Sequence, residues 1–144
     1  MIDANALLRR WIAQGLNTPR VSAVVLPDYN PDTGDGFQPS DGPWIVVNVR
    51  GGLSETEAPI IKPSLQVRVW ADQDQFDIAR SRYLEIYDLI QGQQIDLDVD
   101  GRVIACSEDQ QGQDVVDQDT GFATVIAFFT LQCCPSKSLP IGGS

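Results

Sequence analysis

Apolar residues near the N-terminus recur at the spacing of one helical face. The set steps by three, one, three and one positions and consists of Ala4, Leu7, Leu8, Trp11 and Ile12. Asp3 stands directly before this set, and its side chain can accept a hydrogen bond from the first helical turn. Gly15 is suited to ending a helix. The pattern therefore predicts a helix over residues 4–15.

Three later segments are short and either β-branched or alternating, as strands are. They cover residues 21–26, 44–50 and 60–71. In the third segment two sets alternate, with Leu65, Val67 and Val69 on one face and Gln66, Arg68 and Trp70 on the other. One face of this strand is thus predicted to lie in the core. The other face is predicted to be half open, and Trp70 would benefit most from cover.

A second stripe of apolar residues predicts a longer helix that ends before Gly92. The stripe steps by three, four, three and four positions and comprises Phe76, Ala79, Tyr83, Ile86 and Ile90. Asp72 or Asp74 is the expected N-cap. Ile78 and Leu89 lie on the opposite side of this helix, so they are predicted to contact something outside the chain's own core.

The next segment predicts a β-hairpin. Ile95, Leu97 and Val99 alternate with aspartates up to the Asp100-Gly101 pair, which is a strong signal for a tight turn. The chain is expected to return as a strand over residues 102–106. Residues 108–121 are acidic and rich in turn formers, and they are predicted to connect this hairpin to the last strand.

The last predicted strand, over residues 122–133, is apolar on both faces. Phe122, Ile126 and Phe128 lie on one face, and Val125, Phe129 and Leu131 lie on the other. Burial on both sides indicates a central strand. If two helices cover only one face of the sheet, the other face needs a further layer, and a neighbouring subunit is a candidate.

Long polar segments separate some of these elements. Between Pro27 and Pro43, 11 of 17 residues are proline, glycine or aspartate, so this loop is expected to be functional or mobile. Residues 51–58 suit a hairpin arm that projects beyond the sheet. We therefore predict one α+β domain over residues 1–134, followed by a flexible tail over residues 135–144.

Charge and cysteine usage narrow the function classes. The chain has 144 residues and a net charge of −10, from 20 acidic and 10 basic side chains. An acidic surface repels the duplex phosphate backbone, so sequence-directed DNA binding is disfavoured. Cys106, Cys133 and Cys134 are an odd count, and we expect packed, reduced thiols. No segment matches a signal peptide or a membrane span, so a cytoplasmic protein is expected.

The sharpest chemical motif consists of Asp96, Asp98 and Asp100 before a glycine, which matches the opening half of an EF-hand calcium loop. The match then fails, because the twelfth position is Ser107 and the glutamate, Glu108, comes one residue late. Alternation along a strand would place the three carboxylates on a solvated face. A polar strand face is the favoured interpretation, and a calcium site is the alternative.

The sequence has no pattern typical of an enzyme. It lacks histidine, a Gly-x-Ser-x-Gly motif, a P-loop and any cysteine pair spaced for zinc. Carboxylate pairs such as Asp114 with Asp117, or Glu55 with Glu57, need unequal pKa values to act as acid and base, and nothing marks them so. We predict a protein without enzymatic activity and without a cofactor.

The order of elements resembles that of the tail terminator or tail completion proteins of tailed bacteriophages. The likeness covers about residues 4–134 and lies in the pattern of elements. That pattern is a short helix, a strand before Pro27, a long loop, a strand introduced by Pro43-Trp44, a polar arm, the strand over residues 65–71, a helix with Tyr83 and Tyr87, and a closing strand introduced by Asp119-Thr120-Gly121-Phe122.

The resemblance implies an antiparallel sheet with two helices packed on one face. It also implies a virion protein that forms a ring, usually of six subunits, at the head-proximal end of the tail. Such a ring ends polymerisation of the tail tube and joins the tail to the neck. The implied partners are further copies of the chain, the major tail tube protein and a head-side connector or neck protein.

The same resemblance implies that genomic DNA passes through the ring without specific binding. The implied location is the tail or neck of a virion assembled in the host cytoplasm, away from any membrane. Five residues are expected at contacts between subunits: Leu53, Trp70, Ile78, Leu89 and Phe129. The alternatives are another neck or head-completion adaptor, a calcium-binding interaction module, and a cytoplasmic regulatory domain.

Overall fold

The computed structural model describes residues 3–23, 42–50, 61–97, 101–117 and 121–134. Within these ranges the chain forms two helices and six strands. Their bounds in chain order are α1 Ala4–Gly15, β1 Val21–Ala23, β2 Trp44–Arg50, β3 Ser64–Gln73, α2 Phe76–Ile90, β4 Ile95–Leu97, β5 Gly101–Val116 and β6 Phe122–Cys134.

All six described strands belong to one sheet, in the order β1-β2-β3-β6-β5-β4. Strand β1 runs parallel to β2, and every other neighbouring pair is antiparallel. The connection over residues 24–43 has the length that a crossover between parallel strands requires. The sheet is therefore mixed, with its one parallel pair at the β1 end, and differs there from the wholly antiparallel sheet expected.

Both helices pack on the same face of the sheet and enclose one core with it. Helix α1 lies over β1 and β2 and also reaches β4 and β5, whereas α2 lies over β3, β5 and β6. The sheet curls around the helices as a result. The largest fully buried side chains are Phe129, Leu7, Leu8, Ile12, Ile45, Leu65, Ile86, Ile90 and Leu131. The predicted α+β fold with two helices on one face is confirmed.

Helix α1 begins and ends where its pattern predicts. Asp3 is the N-cap, and its carboxylate accepts a hydrogen bond from the backbone amide of Ala6 at 3.2 Å. All five apolar residues predicted for the inner face are buried. The Asn5 side chain accepts a bond from the amide of Val49 at 2.8 Å and donates one to its carbonyl. Both apolar burial and this paired polar contact attach α1 to β2.

Helix α2 begins later than predicted. Strand β3 continues to Gln73, and Asp74 then adopts a left-handed conformation with φ of 62°. Gln75 precedes the helix, and its side chain makes no capping bond. Neither Asp72 nor Asp74 caps α2, because Asp72 still belongs to the strand and Asp74 forms the turn. Four of the five residues predicted for the inner stripe are buried, namely Ala79, Tyr83, Ile86 and Ile90.

Strand β6 is central, as its two apolar faces predict. It pairs with β3 on one side and with β5 on the other. One set of alternating residues is fully buried beneath the helices, namely Val125, Ala127, Phe129, Leu131 and Cys133. Ile126 and Phe128 alternate with this set and are half-buried on the face without helices.

Phe129 belongs to the core, whereas the sequence suggested a contact between subunits. Its exposed fraction is 0%. It lies opposite Leu65, another fully buried residue of the helix-covered face. The expectation for Phe129 is therefore corrected, because a fully buried ring offers no surface to a partner. Its neighbour Phe128 lies on the helix-free face.

Strand β5 is much longer than the predicted return strand. Strands β4 and β5 form the expected hairpin, with Leu97 opposite Gly101. The segment from Glu108 onward, predicted as turns, continues as a strand to Val116. Its side chains are mostly exposed and polar, so they give no burial signal, and the segment is held by backbone pairing with β6. Three register irregularities interrupt that pairing.

Several predicted features lie outside the described residues. They are residues 24–26 of the first strand, most of the proline-rich loop, the arm over residues 51–58 with Leu53, and the tail over residues 135–144. Asp98 and Asp100 of the aspartate motif also lie outside.

The three cysteines are free and buried. Burial raises the pKa of the Cys106 thiol to about 12 and that of Cys133 to about 12. Because the thiolate is the reactive form, these two side chains serve packing rather than nucleophilic chemistry.

We expect Phe129→Ala to lower the free energy of unfolding by about 3–5 kcal/mol, because truncating a fully buried ring leaves a cavity. Phe128→Ala is the matched control, since the same side chain is half-buried on the opposite face. Its expected loss is clearly smaller. Denaturant-induced unfolding measures both variants, and equal losses would contradict the assignment of the two faces.

Candidate functional site

The outer edge of β5 is sealed by α2 along its middle. The backbone carbonyl of Cys106 accepts a bond from the Gly92 amide at 2.8 Å, just beyond the end of α2. The amide of Glu108 donates to Oε1 of Gln91 at 2.7 Å. The amide of Gly112 donates to the hydroxyl of Tyr83 at 3.1 Å. These contacts satisfy backbone groups that an edge strand otherwise leaves unpaired.

Tyr83 is the centre of this polar contact. Its hydroxyl accepts from the amide of Gly112 and donates to the Glu108 carboxylate. Burial, followed by the hydrogen bond to Glu108, raises the pKa of Tyr83 to about 12. The hydroxyl therefore stays protonated at neutral pH and holds the strand to the helix.

Gly112 permits the close approach of β5 to α2. A Cβ at this position would meet Cε2 of Tyr83 and Cγ1 of Val125, each at 2.8 Å. Real Cβ contacts essentially never come so close, so a side chain would push the helix and strand apart. Gly112 also falls within the register irregularity between Gln110 and Gln113. The glycine and the irregularity together bring the edge within reach of Tyr83.

A shallow cleft of about 280 Å³ lies between α2 and β5. Its lining residues are Arg80, Tyr83, Leu84, Tyr87, Glu108, Gln111 and Gly112. At one end Nη2 of Arg80 lies 2.6 Å from Oδ1 of Asp114. Both side chains of this ion pair are more than two-fifths exposed, so the pair adds little stability. Leu84 is an exposed apolar side chain on the wall of this cleft.

The cleft has no arrangement typical of catalysis. Within the described residues, no group of three histidine, cysteine, aspartate or glutamate side chains could hold a metal ion. The same part of the chain contains no helix with the length and apolar character to span a membrane. What the α2–β5 region offers is a strand edge, exposed apolar side chains and polar groups, which are features of binding surfaces.

The helix-free face of the sheet carries buried polar atoms without partners. In the described part of the chain these are Nε of Arg68, Nε1 of Trp70 and Oγ1 of Thr124. Trp70 and Thr124 lie directly opposite each other on β3 and β6. Thr124 is only 3% exposed, and an unpartnered buried hydroxyl is uncommon in folded proteins. This face is therefore unusual for a free surface.

Of the residues expected at contacts between subunits, those in the described part of the chain do not form one surface. Trp70 is half-buried on the helix-free face, and Ile78 is exposed on α2. Leu53 is outside the described residues, and Phe129 is in the core. Trp70, Ile78 and the half-buried Leu89 remain, and Trp70 lies on β3 whereas Ile78 and Leu89 lie on α2.

Leu89 faces α1, which corrects the expectation that it points away from the core. It is half-buried and packs against the core cluster. A Cβ on Gly15 of α1 would lie 2.5 Å from Cδ2 of Leu89. The helical stripe missed this contact because it considers only one buried side of α2, whereas α1 covers a second side.

The aspartate motif is only partly described. Asp96 is exposed on β4, directly opposite Arg102 on β5. Asp98 and Asp100 lie outside the described residues. A calcium site at this motif therefore remains a hypothesis from the sequence.

Two exposed residues were missed by the sequence reasoning. Val115 and Val116 end β5 and are 41% and 55% exposed. The available signal was a β-branched pair inside a stretch otherwise rich in aspartate and glutamine. The β-branched pair was overlooked because residues 108–121 were predicted as turns.

No family model matches the chain, and no curated protein matches it. Among solved structures, it is similar to a chain of the virion of a native gene transfer agent (GTA) particle, with a TM-score of 0.53 and 13% sequence identity. The match covers 85% of this chain and 84% of the other. At this identity the likeness shows a common fold, and it spans nearly the whole length of both chains.

We expect Tyr83→Phe to lower the free energy of unfolding by about 1–3 kcal/mol, because the Gly112 amide and the Glu108 carboxylate lose their shared partner. Tyr87→Phe is the control, since the Tyr87 ring packs beside Tyr83 at 6.5 Å between centroids but its hydroxyl has no partner within the described residues. Thermal and denaturant unfolding measure both. Equal effects would contradict the role of the Tyr83 hydroxyl.

The same variant tests the alkaline behaviour of Tyr83. Its pKa is raised from 10.0 to about 12 in the folded chain, so the unfolded state loses this proton first. The resulting stabilisation is present below pH 10 and is lost as the pH rises from about 10 to 12. We expect Tyr83→Phe to show a smaller decrease in stability over this interval than the unmodified chain. Parallel curves for the two proteins would contradict the raised pKa.

Proposed function

We propose that this chain is a structural subunit of a tailed-phage-like virion. The observation that carries the proposal is the fold likeness to a chain of a gene transfer agent virion, which extends over 85% of this chain. A likeness over the whole length supports a common architecture rather than one shared motif. A structural role is also in keeping with a surface whose described features are apolar side chains and a strand edge.

We further propose that the subunit is a tail terminator. In this role it forms a ring, of about six copies, at the head-proximal end of the tail, ends polymerisation of the tail tube and joins the tail to the neck. The order of elements from α1 to β6 supports this position. The contacts of the ring are then the major tail tube protein on one side and a head-side connector on the other.

The charge of the chain suits a channel for DNA. With a net charge of −10, a ring of several copies repels the phosphate backbone on average. DNA could then move through the ring without being held at specific contacts. The assembly does not depend on catalysis, so the subunit contributes shape and contacts.

Location in the particle tests the proposed role directly. We expect an epitope tag added after Ser144 to be labelled by immunogold at the junction of head and tail in particles built with the tagged chain. Quantitative mass spectrometry of the same particles should give about six copies. Label along the tail tube, over the head shell or only outside particles would contradict the terminator position.

Native mass spectrometry in calcium-containing buffer separates the ring from the calcium alternative. We expect a metal-free hexamer at high protein concentration. A monomer that carries one calcium ion per chain would instead favour a binding module built on the aspartate motif.

A further inference from the structure

The outer edge of β5 is open beyond the part that α2 seals. Strand β4 pairs only with Gly101, Arg102 and Val103, and α2 covers the edge as far as Gly112. Residues 113–116 pair with β6 on their inner side. On their outer side no strand of the described chain pairs with them. Within the described chain, the last quarter of β5 is therefore an edge that no other strand covers.

The hydrogen-bonding groups of this edge have a defined direction. The amide of Asp117 donates to the carbonyl of Phe122 across the β5–β6 turn at 3.0 Å. Because alternate residues of an antiparallel strand face alternate sides, the amides of Gln113 and Val115 face β6. Those of Asp114 and Val116 face outward, in the same direction as the observed Gly112 bond to Tyr83.

The side chains of this edge do not discourage pairing. Folded proteins usually protect a free edge with a lysine, a proline or a bulge. Here two valines occupy the end of the strand, and Val116 is 55% exposed. The one charged residue, Asp114, is held by Arg80 of the same chain. The edge thus combines outward amides with exposed β-branched side chains, which favour an added strand.

At the opposite end of the described sheet, β1 is the edge strand. The amide of Ile45 donates to the carbonyl of Arg20 at 2.9 Å, so Arg20 and Ser22 face β2. Val21 and Ala23 then direct their backbone groups away from β2. No other strand of the described residues pairs with β1.

The described residues at the two ends of the sheet differ in charge. The segments that form α1, β1 and β2 are residues 3–23 and 42–50. They contain one acidic residue, Asp3, and four basic residues, Arg9, Arg10, Arg20 and Arg50, which gives a net charge of +3. Residues 101–117, which contain β5, include one basic residue, Arg102, and four acidic residues, Glu108, Asp109, Asp114 and Asp117. Their net charge is −3. These described parts attract each other, whereas residues 24–41, between β1 and β2, add four aspartates that belong to the overall charge of −10.

We propose that a second copy of this chain docks head to tail, with its β1 edge adding to the β5 edge at residues 113–116. This inference deepens the proposed ring and rests on it. A ring needs two different surfaces on each subunit, and the two ends of one sheet provide them. Pairing of two β5 edges is disfavoured because it brings the acidic ends together and would close as a dimer.

The first test uses a proline that blocks only the outer side of β5. Val116→Pro removes one of the two outward amides of this edge and leaves the bonds to β6 in place. We expect the dissociation constant of the assembly to rise by at least about tenfold. Val116→Thr keeps the amide and the β-branched shape, so it should assemble like the unmodified chain. Native mass spectrometry measures assembly, and circular dichroism verifies that both variants are folded.

The second test distinguishes head-to-tail docking from a symmetric contact. Ala23→Pro likewise removes one of the two outward amides of β1 and leaves the β5 edge intact. Each proline variant alone should fail to form larger assemblies. A mixture of Ala23→Pro with Val116→Pro should form a 1:1 heterodimer, because one intact edge of each kind remains.

The outcomes separate this inference from the proposed function. If the unmodified chain forms a ring and Val116→Pro assembles equally well, the edge contact is wrong and the ring stands. The same holds if the ring forms but the two proline variants do not bind each other. If the unmodified chain forms no ring at any concentration and none in the particle, the proposed function is contradicted, and the edge contact with it.

Discussion

The backbone ladders on both sides of β6 hold the sheet together and set the positions of the other elements. This strand pairs with β3 along Ser64–Gln73 and with β5 along nearly all of Gly101–Val116. Because both neighbours satisfy its backbone groups, its apolar side chains can be buried without leaving polar groups unpaired. The helices cover one face of β6, and the core forms there. In the described chain, the strand edges without a neighbouring strand therefore lie at the ends of the sheet.

The edge at β5 is not protected evenly along its length. In the middle of β5, Tyr83 and Gln91 supply bonds that another strand would otherwise provide. Beyond Gly112 the seal ends and two exposed valines follow. A chain that protects one part of an edge and leaves the next part open has a surface suited to a specific partner. In the proposed assembly, the open part of this edge is available to a neighbouring subunit.

The sequence predicts elements well where a residue's own burial creates the pattern. Helix α1 and strand β2 follow from apolar spacing within each segment, and β6 is recognisably central because both its faces are apolar. Alternation cannot say which face the helices cover, so Phe129 was assigned to the surface. The end of β5 was missed because its order comes from distant groups, such as the contact of Gly112 with Tyr83. Leu89 was misassigned for the same reason, since α1 covers it.

Residue-resolved amide hydrogen exchange, compared between the assembled protein and the diluted monomer, tests the edge contact most directly. The account predicts that the outward amides of Asp114 and Val116 exchange at least about tenfold more slowly in the assembly. The amide of Val115 faces β6 in both states, so its exchange should stay the same and provides an internal reference. Equal exchange of Asp114 and Val116 in monomer and assembly would contradict the account.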